Sequence, residues 1–239
     1  YKQVHKRSIK VTSIAPYASR GSEKLKANLI KSASGSEVSA ISALSGLTSK
    51  SVVLVGERIS ETEGGLSSIV KLASDTGAKL GWIPRRAGEK GAIAAGALPN
   101  LLPGNRLISN SSARVDIAAA WSVDSVPSEI GLSTEEMINS DLQALLIGGI
   151  DPMDISPEAK IKLAKKFIVS LEIRQSDITD IASVVLPVAP VVEKSGSFMD
   201  WQGKVRKFEA AVDQTLNRSD VRILSMLADE IGKPINLPT

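Results

Sequence analysis

The residues best placed to do chemistry lie between Ser176 and Phe208, where Glu193, Asp200 and Lys204 stand among Gly196 and Gly203. Carboxylates and an ammonium group on glycine-bearing loops can hold a polar ligand or move a proton. Asp151, between Gly148-Gly149 and Pro152, is a further candidate. In open parallel sheets, ligands sit beyond the carboxyl ends of the strands. Three such ends stand out: Gly56 after Ser51–Val55, Gly148-Gly149 after Leu142–Ile147, and the segment after Leu186. Plainer readings compete with each. An aspartate before a proline suits a turn. Glu193 and Asp200 suit hydrogen bonds to the backbone of their own loop better than a pairing across a cleft. Trp201 suits packing or an interface, and each glycine taken singly suits a turn.

Composition removes other chemistries. The chain has 239 residues, 43% of them apolar, 23% charged and 3% aromatic, so a globular core must be built from Leu, Ile, Val and Ala. It has no cysteine, which rules out a disulfide, a thiolate nucleophile and a cysteine-ligated iron–sulfur cluster within this chain. Its one histidine, His5, stands near the start, where neither a histidine metal site nor a Ser-His-Asp triad is expected. Net charge is +3, and the basic clusters Arg85-Arg86 and Lys204, Arg206, Lys207 lack interleaved aromatics, so no nucleic-acid partner is expected. No complete G-x-G-x-x-G or Walker A pattern follows any strand, which argues against an independent nucleotide-binding module. The chain begins with Tyr and reads as a fragment or processed product. Its start lacks the apolar core of a signal peptide, and the greasiest stretch, Ile181–Val192, is broken by Pro187 and Pro190. No direct membrane insertion is expected, and a soluble chain in a reducing compartment fits.

The elements that would position these residues follow from pattern. Ser8–Ile14 reads as a strand, Gly21–Ser32 as a helix with Leu25 and Leu29 on one face, and Glu37–Leu44 as a second helix. Ser51–Val55 is a continuous apolar run, the pattern of a strand covered on both faces of a parallel sheet. Leu66, Ile69, Val70 and Ala73 then fall at helical spacing, Gly77 ends the helix, and Lys79–Ile83 returns as a strand. Arg85–Arg106, rich in Gly, Ala and Pro, reads as an irregular loop. Ser133 and Glu136 form a capping box. Leu142–Ile147 is a second buried strand. Ser156 with Pro157 opens a helix, and Phe167–Leu171 and Val184–Leu186 are strands. Ser219 caps a last helix carrying Leu224, Leu227, Ala228 and Ile231, closed by Gly232 and Pro234. This alternation predicts an α/β fold, Rossmann-like, with a mainly parallel sheet and flanking helices.

Thr179, Ala182, Val184-Val185-Leu186-Pro187, Glu193, Gly196, Phe198 and Gly203 follow the order and spacing of a motif of the molybdopterin oxidoreductase family, which the chain resembles. Gly149-Ile150-Asp151-Pro152 resembles that family's turn after a strand. Within the family the chain is most similar to the large iron–sulfur subunit (the G subunit) of actinobacterial NADH-quinone oxidoreductase, respiratory complex I. Leu54–Arg58, Ala78–Ala92 and Leu98–Gly104 carry that closer likeness. The resemblance implies the molybdopterin oxidoreductase (formate dehydrogenase/DMSO reductase) domain fold. It divides the chain into the end of a first α/β lobe at 1–48, a second lobe bearing the motifs at 49–210, and a C-terminal helix and tail at 211–239.

Departures from the family pattern bear on the chemistry. Where cofactor-binding members carry a D-P-R turn after the first strand, this chain has Ala15-Pro16-Tyr17, and a ribose-binding carboxylate is missing. The family's E-G-R appears as Gln202-Gly203-Lys204, and lysine cannot replace the planar guanidinium fork. The family's aspartate in A-D-V-V-L-P is Ser183. Taken with the resemblance, these losses predict a retained fold without the molybdenum cofactor. No residue is expected to be catalytic or to ligate metal. Gly56, Gly149, Asp151, Glu193, Gly196, Asp200 and Lys204 would be vestigial pterin-cleft positions. Iron–sulfur clusters are expected elsewhere in the parent subunit. Expected partners are the cluster-bearing N-terminal part of the same subunit and the other peripheral-arm subunits, at the cytoplasmic face of the cell membrane. The alternative is part of a genuine molybdopterin-dependent oxidoreductase such as a formate dehydrogenase.

Overall fold

A computed structural model describes residues 1–212 and 216–235; residues 213–215 and 236–239, within the sequence-predicted C-terminal helix and tail, lie outside the described residues. The chain packs as two compact units. One is Tyr1–Glu89 with Trp201–Gly203, and the other is Lys90–Asp200 with the described residues from Lys204 on. These units are defined by packing, whereas the lobes at 1–48, 49–210 and 211–239 rest on family motifs and stand as a separate proposal.

The first unit holds α1 (Lys2–Lys6), β1 (Thr12–Ala15), α2 (Arg20–Lys24), β2 (Asn28–Lys31), α3 (Glu37–Ser42), β3 (Val52–Gly56), α4 (Gly65–Thr76) and β4 (Lys79–Ile83). β1 pairs with β2 in parallel, and β3 with β4 in parallel, so two strand–helix–strand units follow one another. The expected helix over Gly21–Ser32 is corrected: it stops after one turn, and Asn28–Lys31 is a strand. Lys26 takes a left-handed conformation, φ 52°, which ends the helix, and the apolar Leu29 and Ile30 then pair with Ser13 and Ile14. The β3–α4–β4 unit has the element order read from the sequence, with Gly77 at φ 70° closing α4, but its buried side is Ile69 and Leu72, while Leu66 and Val70 of the expected stripe are exposed. Its core is Ile41, Val55 and Ile69, joined by Ile14, Val53, Leu72 and Trp82.

The second unit begins where an irregular loop was expected. It contains α5 (Glu89–Ala94) and a short hairpin of β5 (Leu101–Leu102) and β6 (Arg106–Leu107). α6 (Ser111–Trp121) follows, capped by Asn110, whose side chain accepts from Ala113 N at 3.1 Å. Leu102, Ala113 and Ile117 form a small core there. α7 (Thr134–Asn139) carries the predicted capping box, with Glu136 N donating to Ser133 Oγ at 3.3 Å and Ser133 N to Glu136 Oε2 at 2.7 Å. A three-stranded parallel sheet, in the order β7 (Ala144–Gly148), β8 (Phe167–Glu172), β9 (Val184–Pro187), is linked by crossovers through α8 (Ala159–Leu163) and α9 (Asp177–Ile181). α8 starts later than the Ser156-Pro157 signal implied, because Ser156 and Pro157 sit in a preceding turn and Glu158 occupies the N-cap. β10 (Gly196–Met199) and β11 (Val205–Phe208) form an antiparallel hairpin, and α10 (Asp220–Glu230) is capped by Ser219 as expected. The parallel, open sheets with crossover helices give the α/β class that the sequence predicted.

The core of this unit lies on one face of the sheet. Ile168 and Ile178 are fully buried and pack with Ile138, Ala159 and Leu163, and with Leu145 and Ile147 at the margin. Ser170 points to the same face, two residues along β8. It is fully buried, and its hydroxyl has no hydrogen-bond partner among the described residues. A buried hydroxyl without a partner loses its hydration with no compensation. Ser170→Ala is therefore expected to leave stability unchanged or raise it by about 1 kcal/mol. Urea unfolding of the two proteins checks this; a loss of stability in the variant would show that the hydroxyl has a partner.

Candidate functional site

The carboxyl edge of the three-stranded sheet holds two of the sequence-predicted positions, Gly149 and Asp151. Gly148, Leu171 and Leu186 are register partners across β7, β8 and β9, so the three strands end together. Gly149 follows at φ 65°, a left-handed turn that suits glycine, and its N–H donates to Leu171 O at 3.3 Å. Asp151 then accepts from Met153 N at 3.0 Å and turns the chain into a short 3-10 segment, Pro152–Asp154. That is the turn-forming role expected of an aspartate before proline.

The segment after β9 is tied down in the same way. Val188 N donates to Glu172 O at 3.1 Å and Ala189 N to Arg218 O at 2.8 Å. Glu193 Oε2 accepts from Asn217 Nδ2 at 2.8 Å. In the β10–β11 hairpin, Gly196 is register partner of Phe208, and the Phe198 and Phe208 rings stack at 4.9 Å. A Cβ on Gly196 would stand 2.8 Å from Phe208 Cζ, so this glycine makes room for the ring pair. At the hairpin's end, Asp200 accepts from Lys204 N at 2.9 Å and from Arg206 Nε at 3.2 Å. Asp200 and Lys204 are therefore together, but through Lys204's backbone. Ser183, standing where the family has an aspartate, accepts from Ile168 N at 3.3 Å and so braces β8 against β9.

Gly56 belongs to the other compact unit. It ends β3 opposite Ile83 of β4. Beside it is a charged group that the sequence pattern did not single out as a site. Glu57 Oε2 accepts from Arg85 N at 2.8 Å. That amide holds the Glu57 carboxyl below its ordinary range against the opposing pull of desolvation, helped by a contact with Glu89 and by the Arg85 and Arg86 charges. The available signal was a charged residue within two positions of the end of each of two paired strands: Glu57 after Gly56, and Arg85 after Ile83-Pro84. A carboxyl with a lowered folded pKa contributes stability that is complete above the ordinary glutamate pKa and is lost as the pH falls through the lowered one. Glu57→Gln is expected to lower the melting temperature at neutral pH and leave it nearly unchanged at acid pH, which shrinks the loss between the two. A pH series of thermal melts of both proteins checks this, and an unchanged acid slope would contradict it.

A cavity of about 340 Å³ lies elsewhere, lined by Ile138–Gln143 and by Lys162, Lys165 and Lys166. These residues precede β7 and β8, so the cavity opens at the amino edge of the sheet, away from where α/β folds bind ligands. Lys162 already donates to Asn139 Oδ1 at 2.6 Å, and Lys166 to Ser140 O at 2.6 Å.

Asp151, Glu193 and Asp200 each accept from the protein's own donors. Among the described residues no group of three or more His, Cys, Asp or Glu side chains is arranged to hold a metal ion. No helix among the described residues is long and apolar enough to cross a membrane.

Comparison with known proteins agrees with this architecture. The chain is 41% identical, along its whole length, to the G subunit of NADH-quinone oxidoreductase from Mycobacterium bovis, of which it covers 32%. It is 42% identical over 96% of its length to the same protein of Streptomyces coelicolor, covering 30% of it. It is also 31% identical over 60% of its length to the alpha subunit of F420-dependent formate dehydrogenase 2 from Methanococcus maripaludis, covering 22% of that protein. The chain thus spans about a third of the length of its NADH-quinone oxidoreductase relatives. The molybdopterin oxidoreductase family model matches residues 2–230, which is nearly the whole sequence. The chain therefore belongs to the molybdopterin oxidoreductase family.

Proposed function

We propose that this chain is a structural part of the large iron–sulfur subunit of an NADH-quinone oxidoreductase and carries no redox centre of its own. The observation that carries the reading is the 41% identity to that subunit along the whole chain, where the formate dehydrogenase likeness covers only 60% of it. The site supports it. Cysteine, the usual cluster ligand, is absent from the sequence; Asp151 and Asp200 accept from the backbone of their own turns, and Glu193 accepts from Asn217. Gly56, Gly149, Asp151, Glu193, Gly196, Asp200 and Lys204 are on this reading remnants of a pterin cleft, kept for turns and packing. The clusters lie elsewhere in the parent subunit. The partners are the cluster-bearing part of the same polypeptide and the neighbouring peripheral-arm subunits, on the cytoplasmic side of the membrane.

The test is to isolate the native assembly through an affinity tag on this polypeptide. NADH oxidation coupled to reduction of a soluble quinone analogue, with iron but no molybdenum, is the expected result. Formate oxidation with about one molybdenum per chain would replace this reading with that of a molybdopterin enzyme.

A further inference from the structure

Crossover helices cover one face of the parallel sheet in the second unit; on the other face Leu171, at the carboxyl end of β8, is buried, but the row before it is not. Register places Leu146, Val169 and Val184 in one row across the three strands, with Phe167 beside them on β8. Their face is opposite Leu145, Ile147 and Ile168, which pack under α8 and α9. Leu146 and Phe167 are each 52% exposed and Val184 is 40% exposed. The first unit repeats the arrangement. Val53, Val55 and Trp82 join the core beneath α4, while Val52 and Leu54 on the other face of β3 are 61% and 60% exposed.

Topology explains why the chain cannot cover these faces with its own crossovers. In the order β7–β8–β9 both connections step in the same direction, and crossovers of one hand then place both helices on the same side. Covering the far side takes a helix arriving from elsewhere. The sequence is nevertheless written for a covered sheet. Val52-Val53-Leu54-Val55 and Ala144-Leu145-Leu146-Ile147 are continuous apolar runs, not the apolar–polar alternation of a strand with one wet face. Parallel sheets with a permanently exposed face are almost unknown.

We infer that the Leu146–Phe167–Val169–Val184 face is an intramolecular docking surface for an amphipathic α-helix of the parent polypeptide. That helix would lie in the two thirds of the NADH-quinone oxidoreductase relatives' length that this chain does not match. The face carries no charged residue in that row, so its occupant presents Leu, Ile or Val and not an acidic or basic surface. The inference rests on the proposed membership in a longer subunit, and it names where the rest of that subunit packs.

The experiment places the photoreactive residue p-benzoylphenylalanine at Leu146 in the intact native assembly, with Ile161 on the solvent side of α8 as control. Irradiation at position 146 is expected to give a crosslink whose partner peptide is a helical segment of the same polypeptide outside these 239 residues; position 161 is expected to give none. A crosslink to a second copy of this chain, to another subunit or to lipid, or no crosslink at all, overturns the inference. Leu146→Glu adds a second readout: the yield of assembled complex should fall at least about tenfold relative to Ile161→Glu, and an equal yield would also overturn it. NADH:quinone activity of the tagged assembly tests the underlying reading separately, since it is read whether or not position 146 crosslinks.

Discussion

Ile168→Ala is expected to destabilise the second unit by about 2–5 kcal/mol. Ile168 is fully buried: it sits mid-sheet on β8 and meets Ala159 and Leu163 of α8 and Ile178 of α9 in one cluster. Truncating its side chain to a methyl group leaves a cavity that two crossover helices and a sheet cannot close without shifting together. The loss also reaches the candidate site, because Ile168 N and O both bond to Ser183 and so hold β9 in register. Chemical denaturation is the measurement, with Ile161→Ala as a surface control at 65% exposure. A change in Ile168→Ala no larger than in the control would mean that this cluster is not the core.

Gly96→Ala is expected to cost roughly 2–4 kcal/mol, by a different route. Gly96 sits just past α5 at φ 85°, where its N–H donates to Ile93 O at 3.0 Å and Ala97 N donates to Ala92 O at 2.9 Å. That pair of bonds closes a helix through a left-handed residue. The turn also brings Gly96 against the hairpin: an added Cβ would lie 2.7 Å from the Leu102 carbonyl carbon and 2.8 Å from Pro103 N. Both neighbours are backbone and cannot swing aside. Gly149→Ala is the matched comparison, since Gly149 has φ 65° but open space around it. It isolates the conformational cost alone, so Gly96→Ala must melt at the lower temperature; equal melting temperatures would remove the steric argument.

How far the sequence revealed the fold depended on whether local and tertiary signals agreed. They agree on the elements of β3–α4–β4, where an apolar run, a helix and a closing glycine succeed one another, but of the predicted helical stripe Ile69 is buried while Leu66 and Val70 are exposed. They disagree at Leu25 and Leu29. That spacing fits a helix face, yet Leu29 lies in a strand because parallel pairing with β1 outweighs a coincidence of spacing. α6 left little trace, for its residues Ala113 to Ala120 are mostly small and its buried side is only Ala113 and Ile117. The Asn110 cap was its one local signal. The Gly- and Pro-rich stretch that resembled a loop hides a helix and a hairpin, because its glycines close elements instead of interrupting them.

The candidate site was legible to a similar degree. Asp151's turn, Asp200's bond to the backbone and the glycine at the end of β7 all follow from residue type and neighbours. The partners from distant sequence, Asn217 on Glu193 and Arg85 on Glu57, do not, since a contact across 24 or 28 residues leaves no periodic mark. Nor could the apolar runs reveal that their own crossovers would cover only one face.

The most direct test of the central claim is the molybdenum and pterin content of this chain after anaerobic incubation with free molybdenum cofactor, with folding verified by circular dichroism. Less than about a tenth of an equivalent of either, on the order expected for non-specific binding, is the predicted result. One equivalent of molybdenum per chain, released together with a fluorescent oxidised pterin, would show that the chain binds the cofactor and that the structural reading is wrong.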